Sequence, residues 1–209
     1  MTDSRISELP AVTGFLDAQE FAVNDAGISR KITGAQIRSA WGRDFLGRTK
    51  LAASAHETAV VTIEPRDILW IQVYITAYGG TPDVTGDIGS LRFNGDTGNN
   101  YWTRHLYYDA GAWNDVVTAS TSLIRLAPTN SRLSRNVLCT VNNQDNRSKT
   151  VNMKNQTGTN DATVAGQVNI AGGEWVNLTD RITSVQLVNA GSNNLITGTG
   201  FYIEGANLS

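Results

Sequence analysis

Two histidines and one cysteine are the obvious reactive groups of this 209-residue chain, and their spacing defines the first question. His56 and His105 stand 49 positions apart, and with Cys139 they do not give the close ligand spacing of a zinc site. His105 lies among Arg104, Tyr107, Tyr108 and Asp109, which is compatible with a surface site; a strand histidine satisfied by its neighbours is the plainer expectation. Gly42-Arg43-Asp44-Phe45-Leu46-Gly47-Arg48-Thr49 approaches a phosphate-cradling loop, but Arg48 replaces the lysine and no strand leads into it, so this stretch is expected to be a linker. Asp83, Asp87 and Asp96, with Asn94, Asn99 and Asn100, offer calcium-type oxygens. The strict Asp-x-Asp-x-Asp-Gly loop is missing, and such turns form without an ion. No metal and no cofactor is therefore expected.

An aromatic set is more informative. Tyr101, Trp102, Tyr107, Tyr108 and Trp113 fall within thirteen residues. Beside arginine and asparagine they suit either sugar stacking or a subunit contact. In a strand, Tyr101 and Tyr107 share one face and Trp102 and Tyr108 the other, and both faces cannot be the same core. One of the two pairs is thus expected at a subunit contact or under a loop.

The elements that would position these residues are strands. Gly, Thr, Asn and Ser number 20, 23, 19 and 14, a mixture that favours tight turns and short pleated segments over helices. The clearest strand is Ile68–Tyr78, with Leu69, Ile71, Val73, Ile75 and Ala77 on one face and Trp70, Gln72, Tyr74, Thr76 and Tyr78 on the other. Further strands are expected over 58–63, 88–94, 99–108, 116–126, 136–141, 150–155, 167–170, 174–178, 182–189 and 195–204. Asn94–Asn100 and Ala190–Asn194 are expected to be hairpin turns. This pattern predicts an antiparallel two-sheet β-sandwich, jelly-roll-like in strand count, over residues 56–209.

Residues 1–55 read differently, as an N-terminal attachment segment followed by a linker over 42–55. Pro10 keeps Leu9 out of helical angles, Asn24–Gly27 reads as a turn, Ile28–Ile32 as a short strand, and Thr33 caps a small helix carrying Ile37 and Trp41. Alone, these residues cannot enclose a core and are expected to dock on something else.

Net charge is −2 and charged residues make up 17%, which argues against a basic nucleic-acid binder. No run of about 18 apolar residues is present, so no membrane partner is expected. The N-terminus lacks a signal-type apolar stretch, and assembly in a cytoplasm is expected.

Two segments carry a family resemblance. Arg5-Ile6-Ser7-Glu8-Leu9-Pro10-Ala11, followed by Ile28-Ser29-Arg30-Lys31-Ile32-Thr33-Gly34-Ala35-Gln36-Ile37, resembles the attachment segment at the start of tail-fibre and head-fibre proteins of tailed phages. Leu91–Tyr101 and Gly198–Gly205 resemble strand-turn segments of phage β-sandwich surface proteins. The resemblance implies a non-enzymatic virion protein, a homotrimer bound to major capsid, portal-proximal or tail proteins. Ile6, Leu9, Pro10, Ile28, Ile32, Ile37 and Trp41 would then be the attachment residues. The compact length favours a capsid decoration or head-fibre protein. A tail-fibre, collar or host-glycan-binding protein is the alternative, with Tyr101, Trp102, Tyr107, Tyr108 and Trp113 as candidate glycan or subunit contacts. A hydrolase on the same scaffold, using His and Asp, is the third class.

Overall fold

Alternation along Ile68–Ile75 sorts its side chains in the computed structural model as the pleat requires: Leu69, Ile71 and Val73 are sealed, and Gln72 and Tyr74 face outward. The structure describes residues 20–25, 28–33, 43–76, 89–109, 112–127, 134–158, 168–191 and 194–208. They form fourteen strands and no helix: β1 (Glu20–Asp25), β2 (Ile28–Thr33), β3 (Asp44–Lys50), β4 (Val61–Thr62), β5 (Ile68–Ile75), β6 (Gly89–Phe93) and β7 (Tyr101–Asp109). The remainder are β8 (Ala112–Thr121), β9 (Ile124–Arg125), β10 (Ser134–Asn142), β11 (Lys149–Gly158), β12 (Val168–Trp175), β13 (Ser184–Asn189) and β14 (Gly200–Ala206).

The chain divides into two compact units, Met1–Asp44 and Phe45–Ser209. In the first, β1 and β2 pair antiparallel from Glu20↔Thr33 to Asp25↔Ile28. Asn24 and Asp25, expected in the turn, are the last rungs of this ladder. The expected helix at 34–41 lies outside the described residues.

The second unit is a mainly-β sandwich. An eight-stranded sheet runs β3-β14-β5-β10-β11-β12-β7-β8, and a four-stranded sheet runs β4-β13-β6-β9. One apolar cluster joins them, with Leu69, Ile71, Val73, Val137, Cys139, Val151, Phe201 and Ile203 from the large sheet meeting Leu91, Phe93, Ile124, Val185 and Leu187 from the small one. Removing each such side chain from water is worth about 1.5–3 kcal/mol. At one end Phe93, Tyr101 and Trp175 close together, the two larger rings stacked at 6.2 Å and 18°.

Four sequence expectations are corrected. The stretch read as a linker contains β3, an edge strand of the large sheet. Its Asp-Phe-Leu-Gly-Arg-Thr-Lys run gives no clean period because neither of its faces is fully covered. The strand expected over 116–126 is two: β8 ends at Thr121, and β9 pairs with β6 in the other sheet. The strand expected in two pieces, 167–170 with 174–178, runs unbroken from Val168 to Trp175 as β12. Asn94–Asn100 is not a hairpin turn: it carries the chain from the small sheet to the large one, and Ala190–Asn194 lies on a second such crossing, from β13 to β14. Asn94 adopts φ 51° and Gly95 φ 66°, where asparagine and glycine are tolerated best. The Asn94 carboxamide accepts from the Thr183 and Ser184 amides and donates to the Arg181 carbonyl, which locks the crossing to the start of β13.

Candidate functional site

Strand β7 divides the aromatic set between the two faces of the large sheet. Tyr101 and Tyr107 point inward and are 1% and 7% exposed. The Tyr101 hydroxyl donates to the Phe93 carbonyl and accepts from the Phe93 amide, both at 3.1 Å, so this ring is a core anchor joining the two sheets. Burial pushes its ionisation up, and the phenol stays neutral. Trp102 is half-buried on the outer face. Tyr108 and Trp113 are paired across the β7–β8 ladder, 49% and 65% exposed, with ring centroids 5.5 Å apart in an edge-on contact. Of the five aromatic candidates, only Trp102, Tyr108 and Trp113 are presented for contact.

The outer face is built by register. Leu138 of β10 lies across from Lys154 of β11, Lys154 from Ile170 of β12, Ile170 from Leu106 of β7, and Leu106 from Asp115 of β8. Leu138, Ile170 and Leu106 are all exposed, and so is Val117 one rung away. In that next rung Asn152, Gly172, Arg104 and Val117 follow one another across four strands. Gly172 leaves a gap in the rung. The result is a hollow of about 350 Å³ whose lining includes Trp102, Arg104, Leu106, Asp115, Asn152 and Ile170. Arg104 grips Asp115 through two parallel hydrogen bonds, Nε to Oδ1 at 3.0 Å and Nη2 to Oδ2 at 2.6 Å. The hydrogen bond from Arg104 holds the Asp115 carboxyl below its ordinary range, and the same bond raises the guanidinium, so both remain charged and cancel. The Trp102 indole N–H donates to the Glu174 carboxylate across the β7–β12 ladder, which fixes the ring at the edge of the hollow.

A larger hollow of about 620 Å³ lies near the β3 side of the same sheet, lined by Arg48, Lys50, Tyr74, Gly200 and Tyr202 among others. Its described lining is basic, unlike the balanced hollow at Gly172.

The groups singled out for reactivity are each placed differently. His105 is sealed on the inner face, with Asn169 Nδ2 3.1 Å from its Nδ1. Burial, more than the nearby Arg135 and Arg125 charges, lowers its pKa to about 4, so it is neutral near pH 7. His56 is exposed and its Nε2 sits 3.0 Å from the Gly191 carbonyl. Cys139 is buried in mid-strand, and burial pushes its thiol up to about 12, outside the range of a reactive thiolate. The Asp96 carboxylate accepts from the Gly98 amide, the Asn100 carboxamide and the Trp175 indole at 2.7–3.0 Å, so protein donors occupy the oxygens considered for calcium. Burial opposes ionisation of Asp96, but these three bonds outweigh it and lower its pKa. Asp83 and Asp87 lie outside the described residues. Among the described residues no three His, Cys, Asp or Glu side chains gather as a metal site would need. The phosphate-loop look-alike is extended from Asp44 through Thr49, without the loop-to-helix turn that such a site requires.

Of the attachment residues, Ile28 and Ile32 stand in β2, opposite Asp25 and Phe21. Ile6, Leu9, Pro10, Ile37 and Trp41 lie outside the described residues.

Sequence reasoning missed Arg104, Asp115, Asn152, Ile170 and Gly172 as one constellation. They come from four strands spread over 69 positions of sequence, from 104 to 172, and only the strand register joins them. The one local signal is the Gly172-Gly173 pair, which by residue type reads as a break. No protein-family model, curated protein or solved structure matches this chain.

Proposed function

We propose that this chain is a non-enzymatic structural protein of a bacteriophage virion, in which the N-terminal unit attaches to the particle and the β-sandwich is displayed outward. The best-supported form is a capsid decoration or head-fibre protein, assembled as a homotrimer in the host cytoplasm and held by other virion proteins. The observation that carries this reading is the division after Asp44: the residues that resemble phage attachment sequences all fall in the unit Met1–Asp44, and the sandwich lies in the unit Phe45–Ser209. The sandwich has its own apolar core drawn from both sheets.

Deleting residues 1–44 tests this. The remaining chain is expected to melt as the full sandwich does, yet to be lost from purified particles of the phage that encodes it, as read by quantitative mass spectrometry. Incorporation at wild-type copy number would refute the anchor.

A further inference from the structure

The hollow floored by Gly172 combines an apolar and a polar lining. Its apolar lining is Trp102, Leu106 and Ile170. Its polar groups flank Gly172 on both sides, Asn152 on β11 and the Arg104–Asp115 pair on β7 and β8, and together offer planar N–H donors and oxygen acceptors. The two charges in the lining cancel, so the hollow favours a neutral guest. Its volume, about 350 Å³, lies within the size range of small-ligand sites. Trp102 is held by Glu174, and Arg104 by Asp115, so both groups are ordered before a guest arrives.

A pyranose ring matches this surface. Its C–H face stacks on an aromatic or aliphatic wall while its equatorial hydroxyls, each a donor and an acceptor, meet planar amide, guanidinium and carboxylate groups. We propose that the Gly172 hollow is a binding subsite for one neutral hexose of a glycan, with Trp102 and Ile170 as the apolar platform and Arg104, Asp115 and Asn152 as the hydroxyl-recognising groups. This assignment is independent of the virion reading, since it concerns the isolated chain.

The glycine supplies a clean test. A Cβ built at Gly172 meets nothing within 4 Å, and its φ lies outside the left-handed region, so a larger residue fills the hollow without disturbing the strand. Full-length protein is titrated with methyl glucoside, methyl galactoside and methyl mannoside by saturation-transfer NMR at about 20 mM each, well above the millimolar dissociation constant expected of one sugar ring. Transfer to at least one glycoside is expected, with a change in tryptophan fluorescence. Gly172→Val is expected to weaken that binding at least about tenfold while its melting temperature holds or rises. Trp102→Phe should retain more of the binding than Trp102→Ala. No transfer to any of the three glycosides overturns the assignment, as does equal binding by Gly172→Val. Self-association of the wild type that Gly172→Val abolishes, without sugar binding, would identify the face as a contact between copies and would equally overturn it.

Discussion

The inner and outer faces of the eight-stranded sheet are made from the same strands and differ in nearly everything else. Along β7 the inner positions are Tyr101, Thr103, His105 and Tyr107, all buried, while the outer ones are Trp102, Arg104, Leu106 and Tyr108, half-buried or exposed. Both faces are rich in aromatics, so composition does not separate them. What separates them is partners. Tyr101 is bonded to Phe93 and stacked on Trp175, while among the described residues Tyr108 meets the ring of Trp113 edge-on. The lesson is that one strand can carry the anchors of the fold and an outward-facing surface on adjacent residues, because the pleat insulates them.

The largest effect expected from breaking this contrast is in the core. Trp175→Ala removes a ring that touches Phe93 and Tyr101 and an N–H held by Asp96, and should cost about 3–5 kcal/mol. Trp113→Ser on the outer face should stay within about 1 kcal/mol. Paired urea denaturation curves, read at the midpoint with unchanged slope, check both.

A smaller effect is pH-dependent and belongs to the inner face alone. Above pH 6.5 His105 is neutral folded or unfolded. Between pH 6.5 and about 4 the unfolded chain takes up a proton that the buried ring refuses. Stability should therefore fall as the pH drops through that window, by roughly 3 kcal/mol in all, and stop falling on this account below it. His105→Gln should flatten the slope between pH 6.5 and 4, whatever its effect at neutral pH. Asp96, whose pKa is lowered, loses its contribution only below the ordinary carboxylate value of 3.8, outside this window.

The smallest contrast is between two neighbouring glycines. At Gly173 a Cβ would stand 3.1 Å from Ile124 Cδ1 and from the Trp102 carbonyl, so Gly173→Val should destabilise by about 1–3 kcal/mol. Gly172→Val should be neutral or stabilising by about 0.4–1 kcal/mol. Thermal melts of the two variants side by side sharpen the division of faces to adjacent residues.

Much of this is legible in the sequence alone. The period of two placed Leu69, Ile71 and Val73 inside and Tyr74 outside, and it paired Tyr101 with Tyr107 against Trp102 with Tyr108. Strands whose two faces differ announce themselves. β3 did not, because an edge strand half-covered on both sides has no alternation to read. β12 was cut at Gly172-Gly173 because glycine normally punctuates; here Gly173 is small to clear Ile124, and Gly172 leaves the hollow. The turn at Asn94 was recognised as a turn from its residue types, but which sheet it led to depended on bonds to Arg181, Thr183 and Ser184, nearly ninety positions away. The hollow depended on register across four strands, which local sequence does not encode.

Hydroxyl-radical footprinting of the native full-length chain tests the two-face account most directly, because it reads both faces along one strand in a single experiment. Tyr108 and Trp113 should oxidise rapidly, while Tyr101, Tyr107 and Trp175 stay protected until the protein is unfolded. Equal oxidation of Tyr101 and Tyr108 in the folded state would contradict it.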